Sequence, residues 1–217
     1  MLDAIIERFS PDEAWREWED AFADGRLSAR NCLQKQVENL RVTRRALLDY
    51  LSQVRIDPVF VEIVRWSGRR GVEAKIVSDS FAPLISHMLR NNGIDGVPVL
   101  ANDLAFSGDR LIPSFPFHDP ACPRSANAKA QHLAPYRAHG QEHSLIFAGD
   151  GRSDLDAALI ADVVFAKGTL AKELDARAIP YRRFETLEPV LAYLESNGAA
   201  PGAREPVMRH DDERASR

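Results

Sequence analysis

Apolar residues recur every three or four positions through the first quarter of the chain, a spacing that is typical of helices burying one face. The spacing holds over residues 11–25, 27–40 and 43–54. Ser28 and Thr43 stand near the expected starts of two of these helices, where a hydroxyl can accept a backbone N–H. The pattern predicts a small helical bundle over residues 1–55.

Short apolar runs separated by helical segments make up most of the remainder. We expect strands at residues 73–79, 97–103, 144–150, 162–167 and 181–184, and a hairpin around residues 107–110. Strands separated by helices of this length form a parallel sheet with helices on both faces. The sequence therefore predicts an α/β core over residues 56–198. The tail at residues 199–217 is charged and lacks periodicity, so we expect it to be disordered.

Charge and composition exclude several classes of protein. A net charge of -4 and a pI near 5.9 provide no basic surface, so nucleic acid and anionic membranes are not expected partners. No apolar run reaches the roughly 18 residues that a membrane-spanning helix needs, and the acidic start "MLDAIIERF" is unlike a signal peptide. Cys32 and Cys122 are too far apart in sequence to suggest a metal-ligand pair. These features predict a cytoplasmic protein.

Candidate chemistry lies at the carboxyl ends of the predicted strands, where parallel sheets bind ligands. The strand "SLIFAGD" delivers Asp150 and, one turn later, Asp154, and carboxylate oxygens are the ligands that Mg²⁺ prefers. The strand "EAKIVSD" delivers the hydroxyl of Ser78 just before a helix begins. Lys129, in the helix before "SLIFAGD", supplies a compact positive charge. A metal, a hydroxyl and an ammonium group together describe a phosphate site.

Each of these residues also has a structural interpretation. Asp154 favours a helix start, Ser78 is an ordinary cap at a strand end, and Lys129 belongs to a solvated helix face. The stretch "GDGRSD" is harder to explain in this way, because two glycines beside two acids at the end of a buried strand cost stability. Their presence favours a ligand that approaches the backbone closely.

The order of these segments resembles the haloacid dehalogenase superfamily. The similarity is strongest to its phosphoserine phosphatase-like branch, which includes the 2-hydroxy-3-keto-5-methylthiopentenyl-1-phosphate phosphatases. "IVSDSF" is similar to the second motif of the family, "NAKAQHL" to the third, and "FAGDGRSDLDAA" with "ADVVFAKGTLAKEL" to the fourth. The resemblance implies a Rossmann-like parallel sheet between helices, with the helices of residues 1–55 as a cap over the substrate.

The resemblance also assigns roles. It implies that Ser78 and Lys129 bind phosphate in the catalytic site, that Asp150 and Asp154 bind Mg²⁺, and that Asp79 and Gly151 contribute to substrate binding. The expected substrate is a small-molecule phosphomonoester, hydrolysed through an aspartyl-phosphate. A homodimer is compatible with this assignment.

One family motif has no counterpart in these 217 residues. In the family, a first strand ends in Asp-x-Asp-Gly-Thr and supplies the nucleophile and the general acid/base. Here the only Asp-x-Asp, at Asp154 and Asp156, falls in a predicted helix. The missing strand belongs in the middle of the sheet, between the strands that carry Ser78 and Asp150. We consider three explanations: a start upstream of Met1, closure of the two flanking strands, or a strand from another chain.

Three functions therefore remain open. The first is a magnesium-dependent phosphatase, impaired in this chain by the absence of the Asp-x-Asp motif. The second is a non-catalytic relative that binds metal and phosphate. The third is a receiver-like signalling domain, which the late position of the "GDGRSD" acids and the helical first quarter disfavour.

Overall fold

The computed structural model describes residues 1–138 and 144–197. The chain divides into two compact units, the first from Met1 to His132 and the second from Leu133 onward. The tail predicted to be disordered lies outside the described residues, and the boundary predicted at residue 55 stays a prediction.

Four helices open the first unit: α1 (Leu2–Phe9), α2 (Ala14–Ala23), α3 (Ala29–Asn39) and α4 (Arg44–Leu51). The two predicted helix starts are confirmed. The Ser28 hydroxyl accepts the N–H of Asn31 at 3.3 Å, and the Thr43 hydroxyl accepts the N–H of Ala46 at 3.3 Å. Each hydroxyl satisfies a backbone donor that has no partner within its helix.

The first unit continues with a three-stranded sheet and two helices: α5 (Pro58–Arg70), β1 (Ile76–Phe81), α6 (Ala82–Asn91), β2 (Val99–Ser107) and β3 (Arg110–Ser114). β1 pairs with β2 in parallel, and β2 pairs with β3 through the predicted hairpin, in which Ser107 is opposite Arg110. The strand order is β1-β2-β3, so β1 has one neighbouring strand in its sheet.

One apolar core joins the helices and the sheet of this unit. Leu40, Leu47 and Leu51 from the opening helices are completely buried, and they belong to the same cluster as Phe81 and Leu84. Fully burying one such side chain contributes about 1.5–3 kcal/mol. The opening helices therefore pack on the α/β part of the unit and share its core.

The second unit also contains a three-stranded sheet. Helix α7 (Lys129–Ala138) crosses the boundary between the units; then come β4 (Ile146–Gly149), a 3₁₀ turn (Arg152–Asp154), α8 (Leu155–Ala158), β5 (Val163–Ala166), α9 (Gly168–Ala176), β6 (Arg182–Arg183) and α10 (Glu188–Asn197). All pairings in this sheet are parallel, in the order β4-β5-β6. Its core includes Leu170 and Leu174 of α9, which are completely buried.

The predicted α/β class with parallel strands between helices is confirmed. The sequence predicts one sheet, however, whereas the described strands form two sheets, in which β1 and β4 are edge strands. The predicted helix at residues 153–161 is also shorter, because a 3₁₀ turn over Arg152–Asp154 takes up its start. Within the described residues, no helix is long and apolar enough to span a membrane.

Candidate functional site

Regular pairing of β1 with β2 ends at Ser78, the third of the six residues of β1. Ser78 is opposite Ala101, but the next paired residue is Phe81, opposite Asn102, so the register shifts between them. The Ser78 hydroxyl accepts the N–H of Ser80 at 3.1 Å. A bulge of this kind releases backbone groups from the ladder and redirects side chains. The structure thus places Ser78 and Asp79 at an irregular strand end.

A buried polar segment, residues 125–129, packs against this strand end. Its Ser125 and Asn127 have no exposed surface, and Lys129 is 7% exposed. The carboxylate of Asp79 accepts the hydroxyl of Ser125 at 2.8 Å and the N–H of Ala126 at 3.0 Å. The Nζ atom of Lys129 lies 3.9 Å from Oδ1 of Asp79. The predicted pair Ser78 and Lys129 therefore lies on neighbouring segments of one unit.

Two asparagines that the sequence did not indicate hold the segment in place. The amide nitrogen of Asn127 donates to the carbonyls of Ser78 at 2.7 Å and Leu100 at 2.8 Å, bridging β1 and β2. The amide nitrogen of Asn102 donates to the carbonyl of Asp79 at 2.7 Å. Both side chains are buried, and their partners are far away in the sequence. The quoted stretch "NAKAQHL" includes Asn127, but it does not indicate the carbonyls to which either asparagine donates.

His132 completes this arrangement. Its Nε2 lies 2.9 Å from Oδ1 of Asn127, whose amide nitrogen already donates to two carbonyls. The histidine must therefore donate from Nε2 and carry its proton there. Burial lowers the pKa of His132, which favours the neutral ring.

The second unit places the predicted acids at the end of β4. After Gly149 the chain enters the 3₁₀ turn, and Oδ2 of Asp154 accepts the N–H groups of Asp150 at 3.0 Å and Gly151 at 2.9 Å. Asp154 is 6% exposed. A β-carbon at Gly149 would lie 2.8 Å from Cγ of Asp154. The first glycine of "GDGRSD" is therefore required by the close approach of the carboxylate.

The start of α9 fixes the backbone of Asp150. The carbonyl of Asp150 accepts the N–H of Leu170 at 3.0 Å, and the carbonyl of Gly149 accepts the N–H of Lys167 at 3.2 Å. Gly168 has a φ of +55°, and a β-carbon there would lie 2.9 Å from the carbonyl oxygen of Asp150. The Asp150 side chain itself is exposed. A fixed backbone with an exposed carboxylate is a suitable arrangement for a ligand to an ion.

Asp150 and Asp154 at the end of β4 are the residues that could hold a metal ion. No group of three or more histidine, cysteine or acidic side chains suited to a metal occurs in residues 1–138 and 144–197. Mg²⁺ commonly uses only one or two protein carboxylates, and water and substrate phosphates complete its shell. Asp150 and Asp154 fit this requirement, and softer metals that prefer sulfur or imidazole do not match.

The predicted residues thus fall into two groups. Ser78, Asp79 and Lys129 lie together in the first unit, whereas Asp150 and Asp154 lie together with Gly151 in the second. That both groups surround one phosphate stays a prediction.

In each unit, polar side chains lie near the ends of parallel strands, where α/β folds bind small ligands. Residues 5–159 match the model of the haloacid dehalogenase-like hydrolase family. Since this match spans more than half of the 217 residues, the chain belongs to that family.

Individual relatives are phosphatases. A 2-hydroxy-3-keto-5-methylthiopentenyl-1-phosphate phosphatase of Brevibacillus brevis is 26% identical over 196 residues, covering 88% of this chain and 87% of that protein. A polyol phosphate phosphatase of Saccharomyces cerevisiae is 27% identical over 156 residues, covering 66% of this chain and 64% of that protein. Among solved structures, a phosphoserine phosphatase with a phospho-aspartyl intermediate analogue is similar in fold, with a TM-score of 0.62, 18% identity, and coverage of 83% of this chain and 84% of that chain.

Proposed function

We propose that this chain has the fold of a magnesium-dependent, cytoplasmic phosphatase of small-molecule phosphomonoesters, and that its hydrolysis is impaired because the Asp-x-Asp motif is absent. The observation that carries the proposal is the burial of Lys129. Its side chain is 8% exposed and lies beside the strand end that carries Ser78. Lysine is rarely buried unless it is paired or has a ligand to bind, and here the Asp79 carboxylate is a partner 3.9 Å from Nζ. An ammonium group buried close to the segment of β1 that carries Ser78 is a suitable cation for a phosphate group.

Asp150 and Asp154 would hold Mg²⁺ in the proposed site. When bound, the ion would neutralise charge on the phosphoryl oxygens. The chain's own contribution is to fix the carboxylates: backbone N–H groups hold Asp154, and the start of α9 holds the backbone of Asp150. Gly151 would contribute to substrate binding from the same turn.

The family resemblance supports the substrate class. The relatives named above are phosphatases of small phosphate esters, and the net charge of -4 argues against nucleic acid as the phosphate-containing partner. We assign recognition of the organic part of the ester to a cap formed by the opening helices.

Catalysis through an aspartyl-phosphate requires a carboxylate in line with phosphorus. The sequence contains no Asp-x-Asp after an apolar strand. β1 and β4 are edge strands, and their apolar residues Ile76, Val77, Ile146 and Phe147 are only partly buried. Apolar edge strands are templates for further pairing. We infer that a strand ending in Asp-x-Asp would pair there, and that residues 1–217 without it are impaired. The alternative is a metal- and phosphate-binding protein without catalysis.

The test is to compare residues 1–217 with a chain extended at its start by an apolar strand that ends in Asp-Phe-Asp-Gly-Thr. With p-nitrophenyl phosphate and Mg²⁺, we expect background hydrolysis from residues 1–217. The extended chain should turn over the substrate and lose this activity in Asp150→Asn. It should also melt at a higher temperature, because added strand pairing stabilises the edges.

A matched control carries the same strand ending in Asn-Phe-Asn-Gly-Thr. It should raise the melting temperature equally and leave hydrolysis at background. An extended chain that is stabilised but neither hydrolyses the ester nor binds inorganic phosphate with Mg²⁺ would reject the phosphatase proposal. Binding of phosphate without hydrolysis would favour the alternative.

A further inference from the structure

We propose that Asp79 is a positioning residue: its carboxylate fixes the segment that carries Lys129, and it does not bind the substrate. The proposal rests on the proposed function in one respect, because it takes Lys129 as the phosphate-binding cation. It replaces the substrate-binding role that the sequence suggested for the Asp79 carboxylate.

The hydrogen bonds of Asp79 carry the first step of the argument. Oδ1 accepts the hydroxyl of Ser125 at 2.8 Å, and Oδ2 accepts the N–H of Ala126 at 3.0 Å. Hydrogen bonds to a charged acceptor are about twice as strong as neutral ones. Both oxygens are thus directed at residues three and four positions before Lys129. A carboxylate held in this way is a tether for the segment.

The buried backbone around the tether strengthens this interpretation. Asn127, completely buried, bridges the carbonyls of Ser78 and Leu100, and its own N–H donates to the hydroxyl of Ser125 at 3.2 Å. Ala128 is buried at a φ of 33°, which a residue with a β-carbon rarely adopts. Backbone strain of this kind persists only where the surroundings enforce it. The polar contacts of residues 125–127 are those surroundings, and Lys129 follows directly.

Charge provides the third step. Oδ1 of Asp79 lies 3.9 Å from Nζ of Lys129, so the carboxylate also attracts the ammonium group and helps to hold it in its buried position. Direct contact between the carboxylate and a phosphate group would instead bring like charges together, which is unfavourable. The geometry therefore suits a residue that acts on phosphate through Lys129.

Three variants separate these contributions. Asp79→Ala removes both the tether and the charge. Asp79→Asn keeps an oxygen for the N–H of Ala126 and a group that can face Ser125, so it removes mainly the charge. Asp103→Asn is the matched control, since the Asp103 carboxylate is exposed and accepts the N–H of its neighbour Leu104.

The readout is the rate at which an amine-acetylating reagent modifies Lys129, followed by mass spectrometry in the full chain. We expect Asp79→Ala to raise this rate by at least about tenfold, because it removes two hydrogen bonds to a charged group. Asp79→Asn should raise it less, and Asp103→Asn should leave it unchanged. Alkylation of Cys32, which is 3% exposed in the same unit, reports whether the unit as a whole has loosened.

An unchanged Lys129 rate in both Asp79 variants would overturn the proposal. An equal rise at Lys129 and Cys32 in Asp79→Asn would also overturn it, because Asp79 would then be a general structural residue. If Asp79→Ala also raises the alkylation rate of Cys32, the comparison of the Lys129 and Cys32 rates in Asp79→Asn decides between a positioning role and a general structural role. Calorimetry with inorganic phosphate and Mg²⁺ tests the proposed function separately, and absence of binding by the wild type rejects that function. The acetylation rates test the positioning role of Asp79 in either case.

Discussion

Replacing Gly149 with alanine tests whether the end of β4 is built around the Asp154 carboxylate. The new β-carbon would lie 2.8 Å from Cγ and Oδ2 of Asp154 and from Cε1 of Phe147. β-Carbons essentially never approach other heavy atoms so closely, so a neighbour must move. Asp154 is buried and has little room to adjust. We therefore expect its carboxylate to leave the N–H groups that it accepts.

Two hydrogen bonds determine the size of the effect. Oδ2 of Asp154 accepts the N–H groups of Asp150 at 3.0 Å and Gly151 at 2.9 Å. Each hydrogen bond to a charged group contributes about 1.5–3 kcal/mol. Alanine offsets part of the loss, about 0.4–1 kcal/mol, because it restricts the unfolded chain. The free energy of unfolding should therefore fall by about 2 kcal/mol or more.

Urea unfolding followed by circular dichroism measures this loss, with Gly151→Ala as the matched control. A β-carbon at Gly151 would lie 3.5 Å from Oδ2 of Asp154, an ordinary contact, so Gly151→Ala should be as stable as the wild type or more stable by up to about 1 kcal/mol. Calorimetry on the same proteins should show weaker Mg²⁺ binding only in Gly149→Ala. If both variants are as stable as the wild type, the reasoning about this strand end is wrong.

Two further predictions concern alanines at positive φ and the buried thiol. Ala178→Gly should raise the free energy of unfolding by about 0.5–1 kcal/mol, because it relieves a φ of 52° at an exposed position. The stability gain of Ala128→Gly should be about 0.8 kcal/mol smaller than that of Ala178→Gly, because Ala128→Gly also removes a buried methyl group. Equal gains in urea unfolding would contradict this. Burial, with the charge of Glu19 and a hydrogen bond to it, raises the pKa of Cys32 to about 12. The native protein at pH 8 should therefore be alkylated at Cys122 alone, whereas the urea-unfolded chain should be alkylated at both cysteines; rapid native labelling of Cys32 in the mass spectrum would refute the assignment.

Features that depend on neighbours in sequence could be predicted. Ser28 and Thr43 lie at helix starts because a hydroxyl bonds to an N–H three residues later. The hairpin at residues 107–110 follows from a glycine turn between alternating residues, and Gly108 indeed has a positive φ. The strand-helix alternation predicted the parallel pairing in the same way.

Features that depend on distant contacts could not be predicted. Asn127 and Asn102 look like ordinary loop and strand residues, yet each donates to a carbonyl on β1 that lies more than twenty positions away. The role of Asp79 depends on Ser125, 46 positions later. The irregular stretch after Ser78 contains neither glycine nor proline, so the sequence gives no local signal for it.

Asp154 shows why two interpretations of one residue need not exclude each other. The sequence allowed it to be a metal ligand or a residue that favours a helix start, and the structure shows that Oδ2 accepts two backbone N–H groups of the turn. A carboxylate has two oxygens with about four lone-pair positions, so holding the turn leaves metal binding chemically possible. Removing Asp154 would therefore disturb the turn and the ion together. Asp150, whose exposed side chain is separate from the backbone contacts that fix it, is the position at which substitution tests the metal alone.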